Sequence, residues 1–137
     1  MTGPTPDTGH GAPVADLAQL WACARATQQA AAAIATRPDV DADLRWSQAA
    51  GHLGEAADEL QRSQPDVARL ADIPPLAAEV HDLPLPEATE VVLASIVAGL
   101  HDFDIDQIGL LPTDLVAAGT AAYWLGMAHH ALAGRLP

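Results

Sequence analysis

Two pairs of glutamate residues are the groups in this sequence best suited to chemistry. Glutamate occurs only five times in 137 residues, and four of the copies form the pairs Glu55 with Glu59 and Glu87 with Glu90. Residues three or four positions apart lie on one face of a helix, and both pairs fall in segments with a helical pattern. If the two helices pack together, four carboxylates meet, and carboxylate oxygens are the ligands that Mg²⁺ and Mn²⁺ prefer.

The charge balance limits the partners that such a chain can have. Six arginines and no lysine face 18 acidic residues, which gives a formal net charge of −12. A charge of this sign repels phosphate backbones and anionic membranes, so we expect no nucleic-acid or membrane partner. The longest apolar run, residues 91–100, is far shorter than the ~20 residues that span a bilayer. Because the N-terminus also lacks the pattern of a signal peptide, we expect a cytoplasmic protein.

Composition and periodicity predict an all-α fold. The chain is rich in alanine and only 4% aromatic, so its core must be built from thin side chains, which suits closely packed helices. Helical spacing predicts one helix from Val14 to about Thr36 and a second, opened by Asp39, Asp41 and Asp43, that ends near Arg62. Residues 1–12, rich in glycine, proline and threonine, predict a disordered tail, and residues 13–137 predict a single helical domain.

A proline-rich connection separates these two helices from two more. Residues 64–86 contain five prolines, so we expect a long stiff connection with short helical pieces at 66–71 and 76–80. A third helix begins at Glu87, and a fourth runs from about Pro112 to Ala133. The third helix is almost wholly apolar through Leu100, which predicts burial on all sides and, in so small a chain, a homodimer that completes the burial.

The second and third helices carry a resemblance to a known family. The segment GHLGEAADELQ at 51–61 resembles the first motif of the all-α nucleoside-triphosphate pyrophosphohydrolases, the MazG-like superfamily that includes dCTP pyrophosphatases, where it reads roughly Gly-Glu-Val-Gly-Glu-Leu-Ala-Glu-Glu-Phe-Gln. The segment EATEVVL at 87–93 is similar to the second motif, Glu-x-x-Asp followed by an apolar helix. Asp104-Ile105-Asp106 stands near the family's Gly-Ile-Asp.

The resemblance implies a four-helix, MazG-like bundle that pairs into a homodimer and hydrolyses a nucleoside triphosphate to the monophosphate and pyrophosphate. It further implies a Mg²⁺ or Mn²⁺ site, in which a bound ion activates water once a carboxylate takes the proton. Mapped onto this chain, the metal ligands would be Glu55, Glu59, Glu87, Glu90 and His52, with Glu55 also catalytic. Trp46 is a candidate to stack on the nucleotide base.

Departures from the family motif leave three hypotheses open. His52 stands where the family has glutamate, Glu90 where it has aspartate, and no lysine is present to contact phosphates. The first hypothesis is a divergent metal-dependent pyrophosphohydrolase. The second is a catalytically inactive relative that binds a small molecule in the same helical cleft, for regulation or within a biosynthetic pathway. The third is a helical protein that binds a protein partner and whose acidic residues only keep it soluble. Cys23, the single cysteine, is expected to be a small buried core residue.

Overall fold

The computed structural model describes residues 4–38, 40, 44–106 and 112–133, and the side chains of 17–38, 40, 44–101 and 115–133. Within these residues the chain forms six helices and no strand, so the predicted all-α class is confirmed. The helices are α1 (Pro4–Ala35), α2 (Arg45–Ser63), α3 (Val67–Leu70), α4 (Leu76–His81), α5 (Leu85–Asp106) and α6 (Pro112–Ala133).

Most of the predicted helix positions agree with these bounds. Helix α2 ends and α5 begins close to the predicted residues, α6 has the predicted bounds, and the short helices α3 and α4 occupy the two places expected inside the proline-rich connection. Helix α1 differs, because it begins at Pro4 rather than Val14 and so overlaps the predicted tail. It continues through Pro13 although an interior proline removes one backbone hydrogen bond. Asp39, Asp41 and Asp43, the predicted cap, lie outside the described residues.

The four long helices pack in a cyclic order. In the described residues, α1 packs against α2 and α5, and α6 packs against the same two helices. Helices α2 and α5 do not pack against each other, which places them across the core from one another. The largest fully buried side chains come from all four of these helices and include Leu17, Ile34, Leu53, Ile96 and Leu125.

Small residues set the distance between α1 and its neighbours. A Cβ atom on Gly54 of α2 would lie 2.9 Å from Nε2 of Gln28 on α1. A Cβ atom on Gly99 of α5 would lie 3.1 Å from Sγ of Cys23, also on α1. The amide of Gln28 is the end of a flexible side chain and can move aside, whereas Cys23 is short and hydrogen-bonded to Ser95. The missing side chain of Gly99 is therefore the one that allows α5 to approach α1 closely.

The proline-rich connection folds back over α1. Val67 of α3 and Val80 of α4 are fully buried and belong to the same hydrophobic core as the long helices. Arg37, just beyond the end of α1, donates a hydrogen bond of 2.8 Å from Nη1 to the carbonyl oxygen of Leu83. A charged donor suits the carbonyl-rich end of a helix such as α4. These contacts fix the connection along one side of α1.

The third predicted helix, α5, is not buried all round. Val92 and Ile96 are fully buried, but Val97 is 51% exposed, and Ala94 and Ala98 are exposed as well. Helix α5 packs mainly against α1 and α6, so one of its faces stays toward solvent, whatever its composition. Helix α6 also has an apolar outer face, where Val116 is 70% exposed. No helix in the described parts of the chain combines the length and hydropathy that a bilayer crossing requires.

Candidate functional site

The acidic residues of α2 do not all face the same way. Glu55 is exposed and Glu59 is half-buried. Glu59 forms an ion pair with Arg62, one turn later, with 2.9 Å between Oε2 of Glu59 and Nη2 of Arg62. Asp58 turns toward α1 and pairs with Arg25 at 3.0 Å. Asp58 therefore links α2 to α1 by an ion pair.

The electrostatic effect of this acidic cluster is visible on Arg62. The hydrogen bond and the charge of Glu59 raise the pKa of Arg62 above its ordinary value, and the charges of Asp58 and Glu55 add smaller contributions in the same direction. Arg62 therefore stays a cation at every physiological pH. Part of the negative charge that a metal ion would need is already balanced by this arginine.

The second acidic pair lies on a different side of the molecule. Glu87 and Glu90 are exposed in the first turns of α5, where acidic side chains also stabilise the positive end of the helix dipole. Because α2 and α5 lie across the core from each other, the structure does not bring the two pairs together within one chain. Among the described residues, no group of three or more His, Cys, Asp or Glu side chains is placed to hold a metal ion. The side chains of Asp104 and Asp106 lie outside this description.

His52 and Trp46 both pack against other residues of the protein. The imidazole of His52 stacks on the indole of Trp124 on α6, with ring centroids 5.3 Å apart and planes 21° from parallel. The ring of Tyr123 lies nearly perpendicular to the same indole, with ring centroids 5.2 Å apart. Trp46 is only 3% exposed and belongs to the hydrophobic core. In this structure, His52 therefore helps to join α2 to α6, and the ring of Trp46 is covered by protein.

A cleft lies between α1 and the proline-rich connection. Its volume is about 420 Å³, which lies within the range of ~300–1,000 Å³ typical of small-molecule sites. One wall is α1 and the other is the end of α3 with the extended segment after it. The lining residues are Ala18, Gln19, Ala22, Cys23, Leu70, Ala71, Asp72 and Pro74.

The lining of this cleft is mostly apolar, with three polar side chains. Gln19 and Asp72 are exposed, so they stand at the rim, whereas Cys23 is half-buried. The predicted role of Cys23 as a buried core residue is thus only partly right, because the residue is half-buried and also lines the cleft. An apolar surface with a few polar groups of defined position is the usual composition of a ligand site.

A hydrogen-bonded network holds the thiol of Cys23 in place. The thiol donates to the carbonyl oxygen of Ser95 on α5 at 3.3 Å. The hydroxyl of Thr27, which is fully buried, donates to the carbonyl oxygen of Cys23 at 2.6 Å. Since Thr27 has only one hydroxyl hydrogen, the 2.6 Å contact between its Oγ1 and the Oγ of Ser95 must use the hydrogen of Ser95. The network connects the back of the cleft to α5.

Sequence reasoning did not find this cleft. Its two walls are about fifty positions apart in the chain, and neither wall contains a motif. Leu70 is a large apolar residue at the end of α3, but its position in the sequence does not show that it lies beside a cleft. It is 58% exposed and lines the cleft.

Comparison with known proteins gives no match: no protein-family model, no curated protein and no solved structure is significantly similar to this chain. In its described residues the chain is an all-helical protein with one acidic helix surface and an apolar cleft beside a cysteine.

Proposed function

We propose that this chain is a helical binding protein that takes a small, largely apolar molecule into the cleft between α1 and the proline-rich connection. The observation that carries the proposal is the cleft itself, with a volume of about 420 Å³ and a lining of small side chains. The proposal shares small-molecule binding with the second of the three hypotheses, but it places the ligand in a cleft away from the acidic pairs.

The shape of the cleft favours an apolar ligand. Ala18, Ala22 and Ala71 leave space where larger residues would have closed the gap between α1 and the connection. Each square ångström of apolar ligand surface removed from water contributes about 25 cal/mol. Rigid walls limit the entropy cost of binding, and α1 is held in place by the core, while the connection is held by Val67, Val80 and Arg37.

A second candidate function is the metal-dependent pyrophosphohydrolase that the resemblance implies. Glu55, Glu87 and Glu90 are all exposed, which makes their carboxylates accessible to a second copy of the chain. In this proposal the Mg²⁺ or Mn²⁺ site is completed across a homodimer, with Glu55 of one subunit near Glu87 and Glu90 of its partner copy. A nucleoside triphosphate would then bind through the ions, since its own charge is repelled by the acidic protein.

The outer face of α6 favours the homodimer on which this second candidate depends. Val116 and Tyr123 are 70% and 58% exposed, and no neighbouring atom lies within 4 Å of where a Cβ on Gly119 or Gly126 would be. The exposed Tyr123 lies between two glycines that have no side chain, so a second copy can approach the helix closely there. This suits an isologous contact, in which each copy offers the same surface to the other. The segment 115–128 also contains no charged residue, so copies that repel elsewhere can meet there.

Cleft binding is tested through Cys23, because the chain has no other cysteine. The rate of alkylation of Cys23 by iodoacetamide is measured with increasing adamantylmethanol, a rigid neutral apolar probe. We expect saturable protection. Gln19→Trp, which places a large ring at the exposed rim, should remove the probe effect, whereas Gln29→Trp, an exposed position of α1 outside the cleft lining, should preserve it. Alkylation that is unaffected by the probe would refute the proposal.

The metal-dependent candidate has a separate test. Titration calorimetry with Mg²⁺ and Mn²⁺ is combined with pyrophosphate release from a panel of nucleoside triphosphates and with sedimentation to follow the dimer. Glu55→Gln and Glu87→Gln should each abolish metal binding, and Glu79→Gln, an exposed glutamate of α4, should not. Wild-type protein that binds neither ion would eliminate this candidate and leave the cleft proposal untouched.

A further inference from the structure

The charges around the cleft indicate which kind of apolar ligand it selects. Of the eight residues that line it, Asp72 alone carries a charge at neutral pH, and none is basic. Asp72 lies in the extended segment after α3 and is exposed at the rim. A ligand whose apolar body fills the cleft therefore meets one carboxylate where it leaves the protein.

The nearest arginine of the same wall does not cancel this carboxylate. Arg69 of α3 pairs with Asp66 one turn earlier, with 2.9 Å between Nη2 and Oδ1. That pair is exposed and contributes little to stability, but it balances the charge of Arg69 locally. The whole chain has a formal charge of −12, which favours the approach of a cation, and salt screens the charge of Asp72 beyond about 8 Å at physiological ionic strength.

The other two polar residues of the lining, Gln19 and Cys23, are also compatible with a bound cation. The side-chain amide of Gln19 has a carbonyl oxygen that accepts hydrogen bonds from an ammonium group. The thiol of Cys23 is held by its hydrogen bond to the carbonyl oxygen of Ser95 and adds no positive charge to the lining. Acceptors and a carboxylate without a cationic residue favour a positively charged ligand over a carboxylate or phosphate.

Building on the proposed function, we propose that the cleft selects apolar amines: the apolar body lies against Ala18, Ala22 and Leu70, and the ammonium group lies at the rim beside Asp72. The specificity comes from one solvent-exposed carboxylate, so it is modest and depends on salt. The same electrostatics makes the cleft unsuited to nucleoside triphosphates, which would have to bind elsewhere on the molecule.

The test uses three probes that share one apolar body: adamantylmethylamine, adamantylmethanol and adamantanecarboxylate. Binding is followed for each through protection of Cys23 from iodoacetamide, a neutral reagent, at one pH and low salt. We expect the amine to bind about two- to fivefold more tightly than the alcohol, and the carboxylate to bind more weakly than both. Added sodium chloride should reduce these differences.

Two variants assign the preference to one carboxylate. Asp72→Asn should make the amine and the alcohol bind equally, while Asp82→Asn, which removes the same charge at an exposed position outside the lining, should keep the preference for the amine. Equal binding of all three probes to the wild type, or a preference that survives Asp72→Asn, would overturn the inference on amines while the cleft proposal stands. Protection by none of the probes would overturn both.

Discussion

Removal of the Thr27 hydroxyl should destabilise the protein through the network behind the cleft. In Thr27→Val the shape of the side chain is kept, but the 2.6 Å contact with the hydroxyl of Ser95 on α5 is lost. Thr27 is fully buried, so in the variant the hydroxyl of Ser95 keeps only its longer contact of 3.8 Å with the sulfur of Cys23. The loss of a short buried hydrogen bond in exchange for this weak one costs about 1 kcal/mol.

A double-mutant cycle separates this interaction from the local effects of each change. Ser95→Ala alone should also cost about 1 kcal/mol, because the hydroxyl of Thr27 then lacks its donor. In the double variant both polar partners are gone, so the loss should fall short of the sum of the single losses by about 1 kcal/mol. The free energy of unfolding is measured by urea titration with two optical probes to check that the transition is two-state.

Thr89→Val is the matched control for this cycle. The hydroxyl of Thr89 donates to the carbonyl oxygen of Leu85 one turn earlier at 2.7 Å, which is the same local contact that Thr27 makes with Cys23, without a partner on another helix. Such local bonds contribute little to helix stability, so its effect should stay below about 0.5 kcal/mol. Additive single losses within about 0.3 kcal/mol, or an equal loss for Thr89→Val, would show that the contact between α1 and α5 has no energetic role.

Four further variants test the packing and the surface. Gly119→Ala should raise the free energy of unfolding by about 0.5–1 kcal/mol through helix propensity, since open space surrounds the site. Gly99→Ala should raise it less, because the added Cβ meets Cys23. Equal gains for the two variants in urea titration would refute the close approach of α5 to α1. Arg25→Met should cost about 1 kcal/mol or less and lose most of that effect in high salt, because its partner Asp58 is half exposed. Leu53→Ala, at a fully buried position, should cost about 2–5 kcal/mol in the same assay, and a loss below 1 kcal/mol would place Leu53 outside the core.

Local sequence patterns were enough for the helices themselves. Three local signals locate the helices: the spacing of apolar residues, the glycine after the last helix and the prolines between the second and third predicted helices. Each signal affects only the few residues around it, so α2 to α6 lie close to the predicted positions. The start of α1 was missed because glycine and proline disfavour a helix in general, while their effect at a given position depends on the neighbouring residues.

The candidate site could not be predicted in the same way. The acidic pairs are each on one helix face, as their spacing requires, but spacing contains no information on which helices are neighbours. The packing of α1 and α6 between α2 and α5 keeps Glu55 away from Glu87 within one chain. His52 matched the position of a metal ligand in the family motif, whereas its stacking on Trp124 depends on a helix about seventy residues later.

The sequence by itself determined the all-helical class, the places of most helices and an acidic surface that repels polyanions, since these depend on local propensity and on summed charge. The tertiary structure alone decided that α2 and α5 are kept apart, that Trp46 is covered, and that Ala18 and Ala22 face Leu70 and Asp72 across an open cleft. The physical reason is that packing pairs residues distant in the chain according to shape and burial, and neither is a property of any single segment.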